Sequence, residues 1–197
     1  MVLTGQLIFI ANHLHNIQVN SNEESTVGKI FYGSQTGTSE LIATGIKKAL
    51  PDLISDVRNI YGAKTEEIAE CDFLILGGST WGDGELTDDW ADYLPKFETI
   101  NLTGKKVALF ALGDQYGYSY NFVSAMKFLY DAVLNQGGEI ICANIPTDGF
   151  EFDHSEAVVD GCFVGLVIDE VNQPELTEQR IDTWANQVRL ALQGVPA

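Results

Sequence analysis

The stretch Gly33-Ser34-Gln35-Thr36-Gly37-Thr38-Ser39-Glu40 gathers hydroxyls and glycines behind a short apolar run, Lys29–Tyr32, and ahead of a helical pattern from about Leu41. At a strand-to-helix turn the first helical N–H groups lack carbonyl partners and sit at the positive end of the helix dipole, so the turn suits a phosphate. The stretch has neither the lysine of a triphosphate loop nor the GxGxxG spacing of a dinucleotide loop. With no basic side chain, N–H dipoles and the hydroxyls of Ser34, Thr36, Thr38 and Ser39 must meet the charge. That favours one phosphate monoester over a magnesium-bound polyphosphate. Taken alone, the stretch reads better as a well-capped Ser/Thr turn.

Two later loops change the balance. Ser79-Thr80-Trp81-Gly82-Asp83-Gly84-Glu85 places an indole among glycines, and Gly113-Asp114-Gln115-Tyr116-Gly117-Tyr118-Ser119-Tyr120-Asn121 carries three tyrosines. Aromatic rings in glycine-rich loops are awkward as core and apt as flat stacking surfaces. A phosphate anchor and two aromatic plates fit a planar heteroaromatic phosphate.

The elements that must position these loops alternate along the chain. Ile30–Tyr32, Leu53–Ile60, Phe73–Leu76, Val107–Leu112 and Glu139–Ile145 read as strands. Helical patterns run from Thr38 or Ser39 as cap with Leu41, Ile42, Ile46, Ala49 and Leu50 inward, from Thr65, and from Thr87 to Phe97 with Pro95 kinking or ending it. Two more follow: one with Phe122, Ala125, Met126, Leu129 and Val133 inward, and one from about Leu176 with Ile181, Trp184, Ala185, Val188 and Leu192 inward. Five β–α units predict an α/β fold, a parallel sheet with helices on both faces. In such sheets ligands sit beyond the carboxyl ends of the strands, where all three loops fall. About thirty residues between Ile145 and the last helix, with a second apolar run Cys162–Ile168, form an insertion that reads as either a surface elaboration or a docking face.

The quoted loops together resemble the long-chain flavodoxins. The motifs are G-[ST]-Q-T-G-x-[ST]-E, T-W-x-x-G-E-L and G-D-Q-x-G-Y-x-x-N-F, then T-D-G-[FY]-x-F and F-V-G-L-x-x-D-E-x-N-Q before a closing helix, covering roughly Val27 to Leu192. The resemblance implies a three-layer sandwich with a five-stranded sheet of order 2-1-3-4-5, for which flavodoxins are themselves a standing example, and an insertion in the last strand. It implies one FMN. Its phosphate would lie on Ser34, Gln35, Thr36, Gly37, Thr38 and Ser39, with Trp81 and Tyr118 on the two ring faces. Thr80, Gly82, Asp83, Gly84, Leu112, Gly113 and Asp114 would border the ring, with Asn121 close by.

The implied function is a low-potential one-electron carrier working between the semiquinone and hydroquinone of FMN, a ferredoxin substitute and not an enzyme. The implied partners are basic-faced redox proteins: ferredoxin/flavodoxin-NADP reductases, low-potential oxidoreductases or photosystem I. An FMN quinone reductase, or a detached flavin domain of a larger reductase, is the alternative on the same fold. A phospho-receiver is disfavoured because Gly77-Gly78-Ser79 stands where its aspartate belongs. The chain departs from the family pattern at Thr38, often Lys, at Tyr120, usually acidic, and at Val171, commonly Asp. Gly82 tolerates positive φ, so the Gly82-Asp83 peptide is the expected switch that answers the flavin's redox state.

Composition agrees with this reading. Twenty-eight acidic residues against eleven basic ones give −17, a field that repels nucleic acid and anionic lipid and attracts basic faces. With Asp83, Glu85 and Asp114 near the ring, this charge would disfavour an anionic reduced flavin. Cys71, Cys142 and Cys162 lack CxxC spacing and read as thiols, not disulfides or metal ligands. No run of 18 apolar residues exists, so no membrane insertion is expected. Residues 1–27 read as an N-terminal extension to a domain at 28–197. They contain His13 and His15 but no Lys or Arg, unlike a secretory leader or transit peptide; the cytoplasm is expected, with the plastid stroma as the alternative, and the chain is expected to be a monomer.

Overall fold

The computed structural model describes residues 27–194; apart from Val27, the expected extension lies outside them. Strands β1 (Gly28–Gly33), β2 (Ile54–Asn59), β3 (Phe73–Ser79), β4 (Lys106–Leu112) and β5 (Glu139–Ile140) form a parallel sheet in the order β2-β1-β3-β4-β5. Being buried on both faces, the inner strands are near-continuously apolar. Ile30, Ile75 and Phe110 point to the face covered by α1 (Thr38–Ala49). Phe31, Leu74, Leu76 and Leu109 point to the opposite face. Of the remaining helices, α2 (Thr65–Ala69) follows β2, while α3 (Asp88–Phe97) and α4 (Met126–Asn135) cover the second face.

The fifth strand position is shared. β5 pairs only Lys106 and Val107 of β4, and ends at Ile140 instead of the expected Ile145. Cys142 and Asn144 adopt φ of 54° and 66°, a left-handed geometry no strand can carry. The chain then leaves as a small antiparallel sheet of β6 (Ile145–Pro146), β7 (Val158–Val159) and β8 (Cys162–Phe163). It returns as β9 (Leu166–Ile168), which pairs the upper half of β4 at Phe110–Leu112. The apolar run Cys162–Ile168 is therefore two strands, divided at Gly165. A Cβ there would stand 2.4 Å from the Leu109 carbonyl oxygen, so only glycine lets the chain cross β4 this closely. Helix α5 (Thr177–Leu192) then packs Ile181, Trp184, Ala185 and Val188 onto the α1 face.

Two helix expectations need correction. Leu41 is 72% exposed, because the buried stripe of α1 is Ile42, Ile46 and Leu50 at four-residue spacing and Leu41 lies about 100° away from it. The third expected helix reaches Phe97 as read from the sequence, with Pro95 inside α3. The fourth helix starts at Met126, after a 3-10 turn at Ser119–Asn121 and a left-handed Val123 at φ 49°, although Phe122 is buried as expected.

Candidate functional site

The glycines ending β1 and β3 give the site its floor. Indole Nε1 of Trp90, a buried residue of α3, donates to the Gly77 carbonyl at 2.9 Å. A Cβ on Gly33 would approach Thr87 Oγ1 to 2.1 Å and the Trp90 ring to 2.5 Å. Trp90 thus presses directly on the strand end that launches the first loop, and small residues there are a packing requirement.

The first loop closes on itself. Ser34 Oγ accepts from the Gly37 N–H at 2.9 Å, and Gly37, at φ 89°, stands at the N-terminal boundary of α1. The capping expected of Thr38 or Ser39 is absent: the helix begins at Thr38 without a side-chain cap. The buried Ser39 hydroxyl instead meets Ser79 Oγ at 2.9 Å, tying the loop to β3. Asp89 accepts from the Ser34 N–H at 3.0 Å and from Asn59 Nδ2 at 2.7 Å, tying it to α3 and β2. Among the described residues the N–H groups of Gln35 and Thr36 donate to no protein acceptor, and those of Thr38 and Ser39 are unpaired by helix geometry. This cradle fits a phosphate monoester: bare N–H donors, the threonine hydroxyls of 36 and 38 at 3.2 Å from each other, and no cation.

The second loop is a tight reversal. Trp81 and Glu85 exchange N–H···O bonds of 2.9 and 2.7 Å, with Gly82 at φ 49° and Gly84 at φ 99° between them. Asn121 lies behind this turn, its Oδ1 3.2 Å from where a Gly84 Cβ would be. The Thr80 hydroxyl accepts from the Ala125 N–H at 3.2 Å, which joins this loop to the entry of α4.

The third loop is folded around a carboxylate. Asp114 Oδ1 accepts from the N–H groups of Gly117 at 2.8 Å and Tyr116 at 3.2 Å, and from Asn172 Nδ2 at 2.8 Å. Burial raises this carboxyl's pKa, but the Gly117, Asn172 and Tyr116 donors outweigh it and leave the group below the ordinary aspartate value. The side chain of Asp114 therefore serves its own loop. Tyr116, Tyr118 and Tyr120 remain 61%, 57% and 69% exposed. The insertion braces the loop from outside. Glu151 N–H donates to Gln115 Oε1 at 2.6 Å, the N–H groups of Asp153 and His154 donate to the Ser119 carbonyl, and Phe150 and Phe152 pack on Phe122.

The three loops meet around an open cleft of about 250 Å³ lined by Thr36, Thr38, Ser79, Thr80, Trp81, Gly82, Leu112, Gly113, Asp114, Tyr118, Glu170 and Val171. Of the residues expected from sequence, Ser34, Gln35, Gly37, Ser39, Asp83, Gly84 and Asn121 are not on its wall. Ser34, Gly37, Ser39 and Asn121 stand behind it as supports, while Asp83 is exposed outside. Ser79, Glu170 and Val171 were not among the expected site residues. Glu170 and Val171 follow β9, so the strand-end rule would have found them had the last strand been located correctly. No Lys or Arg lines the cleft. Most basic residues sit at the far edge of the sheet: Lys29, Lys105 and Lys106 at strand starts, and Lys47, Lys48, Lys96 and Arg189 in last helical turns. A larger groove of about 540 Å³ between α1 and α5 offers no comparable donor set.

Comparison with known proteins agrees with this geometry. The family described as Flavodoxin matches residues 30–184. A flavodoxin of Synechocystis sp. is 43% identical over 84% of this chain and 97% of its own length. One from Haemophilus influenzae is 42% identical over 81% and 91%. The crystal structure of Fusobacterium nucleatum flavodoxin bound to flavin mononucleotide superposes with a TM-score of 0.79 at 33% identity, covering 84% of this chain and 98% of that one. The chain belongs to the flavodoxin family.

Proposed function

We infer that this chain is a one-electron carrier that binds a single FMN in the cleft between its three strand-end loops. The observation that carries this reading is the pairing of a cation-free N–H cradle at one end of the cleft with Trp81 and Tyr118 at the other. FMN supplies the redox chemistry, and the protein orients it and sets its surroundings. The N–H groups of Gln35, Thr36, Thr38 and Ser39 and the hydroxyls of Thr36 and Thr38 hold the phosphate. Ser34 and Ser39 act one step back, since their hydroxyls are already engaged with Gly37 and Ser79. Trp81 and Tyr118 flank the ring. Backbone at Thr80–Gly84, Leu112 and Gly113–Asp114 borders its edge, and Asn121 backs the Gly84 turn.

Flanking aromatics leave a ring edge, not a ring face, open to a partner, which suits electron exchange over substrate turnover. The acidic cleft end and the lysines at the opposite edge give the molecule a charge polarity that presents this edge to basic-faced redox proteins. Reductases of the flavodoxin-NADP type, other low-potential oxidoreductases and photosystem I are partners of that kind, and the cytoplasm is the matching location. Among the described residues no helix is long and apolar enough to cross a membrane.

Reconstitution with FMN, FAD and riboflavin tests the assignment. FMN binds tightest, and riboflavin, lacking the phosphate, retains only the ring contribution. Trp81→Ala weakens FMN and riboflavin by the same factor, about 2 kcal/mol, from lost stacking and apolar area. FAD binding in preference to FMN, or unchanged riboflavin affinity in Trp81→Ala, would refute the assignment.

A further inference from the structure

Asp169, fully buried at the end of β9, holds the turn that follows it. Its Oδ1 accepts from the N–H groups of Val171 at 3.2 Å and Asn172 at 3.0 Å, and its Oδ2 from the Gln115 N–H at 3.1 Å. The Asn172 amide then reaches both sides. Nδ2 lies 3.0 and 2.9 Å from the two Asp169 oxygens and 2.8 Å from Asp114 Oδ1. One amide nitrogen therefore bridges two carboxylates that would otherwise repel. Asp114 is also the residue whose carboxylate gathers the Tyr116 and Gly117 N–H groups and whose carbonyl accepts the Tyr118 N–H at 2.9 Å.

We propose that Asn172 is a positioning residue for the flavin ring, its amide clamping the Asp114 and Asp169 carboxylates together and so fixing the loop that presents Tyr118. The proposal rests on the reading that Tyr118 flanks the ring. Asn172 does not itself line the cleft; it acts through Asp114. Its neighbours Glu170 and Val171 do line it, so the same turn sets part of the cleft wall.

Replacing the amide by a carboxyl turns the clamp into a pH-dependent one. In Asn172→Asp three carboxylates meet. Ionised, they repel and release the loop; with one proton shared among them, the acid O–H restores a donor between Asp114 and Asp169. Other titratable or charged groups around this cluster are Glu170 on the same turn, Tyr116 and Arg180, both of which feel Asp169, and Glu151, which accepts from the Tyr116 hydroxyl. None of these replaces the bridging donor.

The test measures FMN and riboflavin affinity of the full chain from pH 5 to 8, with urea unfolding as a control for general damage. Asn172→Leu is expected to weaken both flavins by the same factor, about tenfold, the scale of one lost hydrogen bond to a charged group. Asn172→Asp is expected to regain riboflavin affinity as pH falls, while the riboflavin affinity of the wild type stays flat over this range; FMN carries its own phosphate ionisation at about pH 6 in both proteins. Equal flavin affinities in wild type and Asn172→Leu, or a riboflavin affinity of Asn172→Asp that is flat with pH, would overturn the proposal. Tyr118→Ala separates the two levels. If it leaves riboflavin binding intact, the underlying ring assignment fails; if it weakens binding while both Asn172 variants behave as wild type, the clamp alone fails.

Discussion

The phosphate loop takes its shape from its own residues: Gly37 at φ 89°, Ser34 Oγ on the Gly37 N–H, and the unpaired first turn of α1, with Asp89 and Ser79 pinning its ends. The tyrosine loop at 113–121 is held mostly by distant segments. Glu151 reaches it across 36 residues, Asp169 across 54 and Asn172 across 58. The cradle end thus takes its curvature locally, with two ties to distant residues, Asp89 and Ser79, at its ends. The ring end exists only when the insertion and the turn after β9 have docked. The geometry of the tyrosine loop therefore answers to residues far along the chain.

Substitutions that hit one end and spare the other sharpen this contrast. The largest effect is expected at the floor of the cradle. Gly33→Ala drives a Cβ into Thr87 and Trp90, so urea unfolding should show a loss of about 3 kcal/mol, and FMN affinity should fall further than riboflavin affinity. Equal losses for the two flavins would mean that the ends are not separable.

At the ring end, Gly82 sits at φ 49° inside the Trp81–Glu85 reversal. A β-branched residue is strained there and resists any turning of the 82–83 peptide. Gly82→Val should bring the two one-electron midpoints closer by on the order of 60 mV, the equivalent of a tenfold change for one electron. Potentiometry of both proteins checks this, and unchanged midpoints would assign their separation to charge alone.

A smaller effect comes from acid. The Asp114 pKa is depressed in the folded loop, so its stabilisation is complete above the unfolded value of about 3.9 and is lost as pH falls through the lower folded value. Near-UV circular dichroism from the loop tyrosines should hold down to about pH 4 and decay below it, ahead of the backbone signal. Asp114→Asn should lack this early phase.

The smallest contrast is between the two edges of the sheet. Association with a basic-faced reductase should slow as salt rises, since exposed charges are screened over about 8 Å at physiological ionic strength. Neutralising Glu170 on the cleft wall, or Glu85 on the adjoining Trp81–Glu85 turn, should reduce that dependence more than neutralising an acid near Lys105 at the far edge.

How much the sequence revealed follows the same division. The cradle was legible because its features are contiguous: glycines, hydroxyls and a following helix within eight residues. The inner strands were legible because burial on both faces makes them continuously apolar. The split fifth strand was not, because Glu139–Ile145 stays largely apolar through Cys142, whose left-handed backbone leaves no mark in residue type; Asn144, of a type enriched in that region, was the one signal. Leu41 was misplaced because an apolar residue at a helix start satisfies a loose periodicity while lying off the buried stripe. Asp114 lines the cleft, but the engagement of its carboxylate by Gly117 and Asn172 is not legible in the sequence, since a partner 58 residues away cannot be inferred from spacing.

Stepwise anaerobic reduction of the FMN-loaded wild type, followed by absorbance against potential, tests the carrier reading most directly. The expected result is two separate one-electron waves, with a long-wavelength band that rises during the first and vanishes during the second. A single two-electron wave without that band would contradict the assignment of this chain as a one-electron carrier.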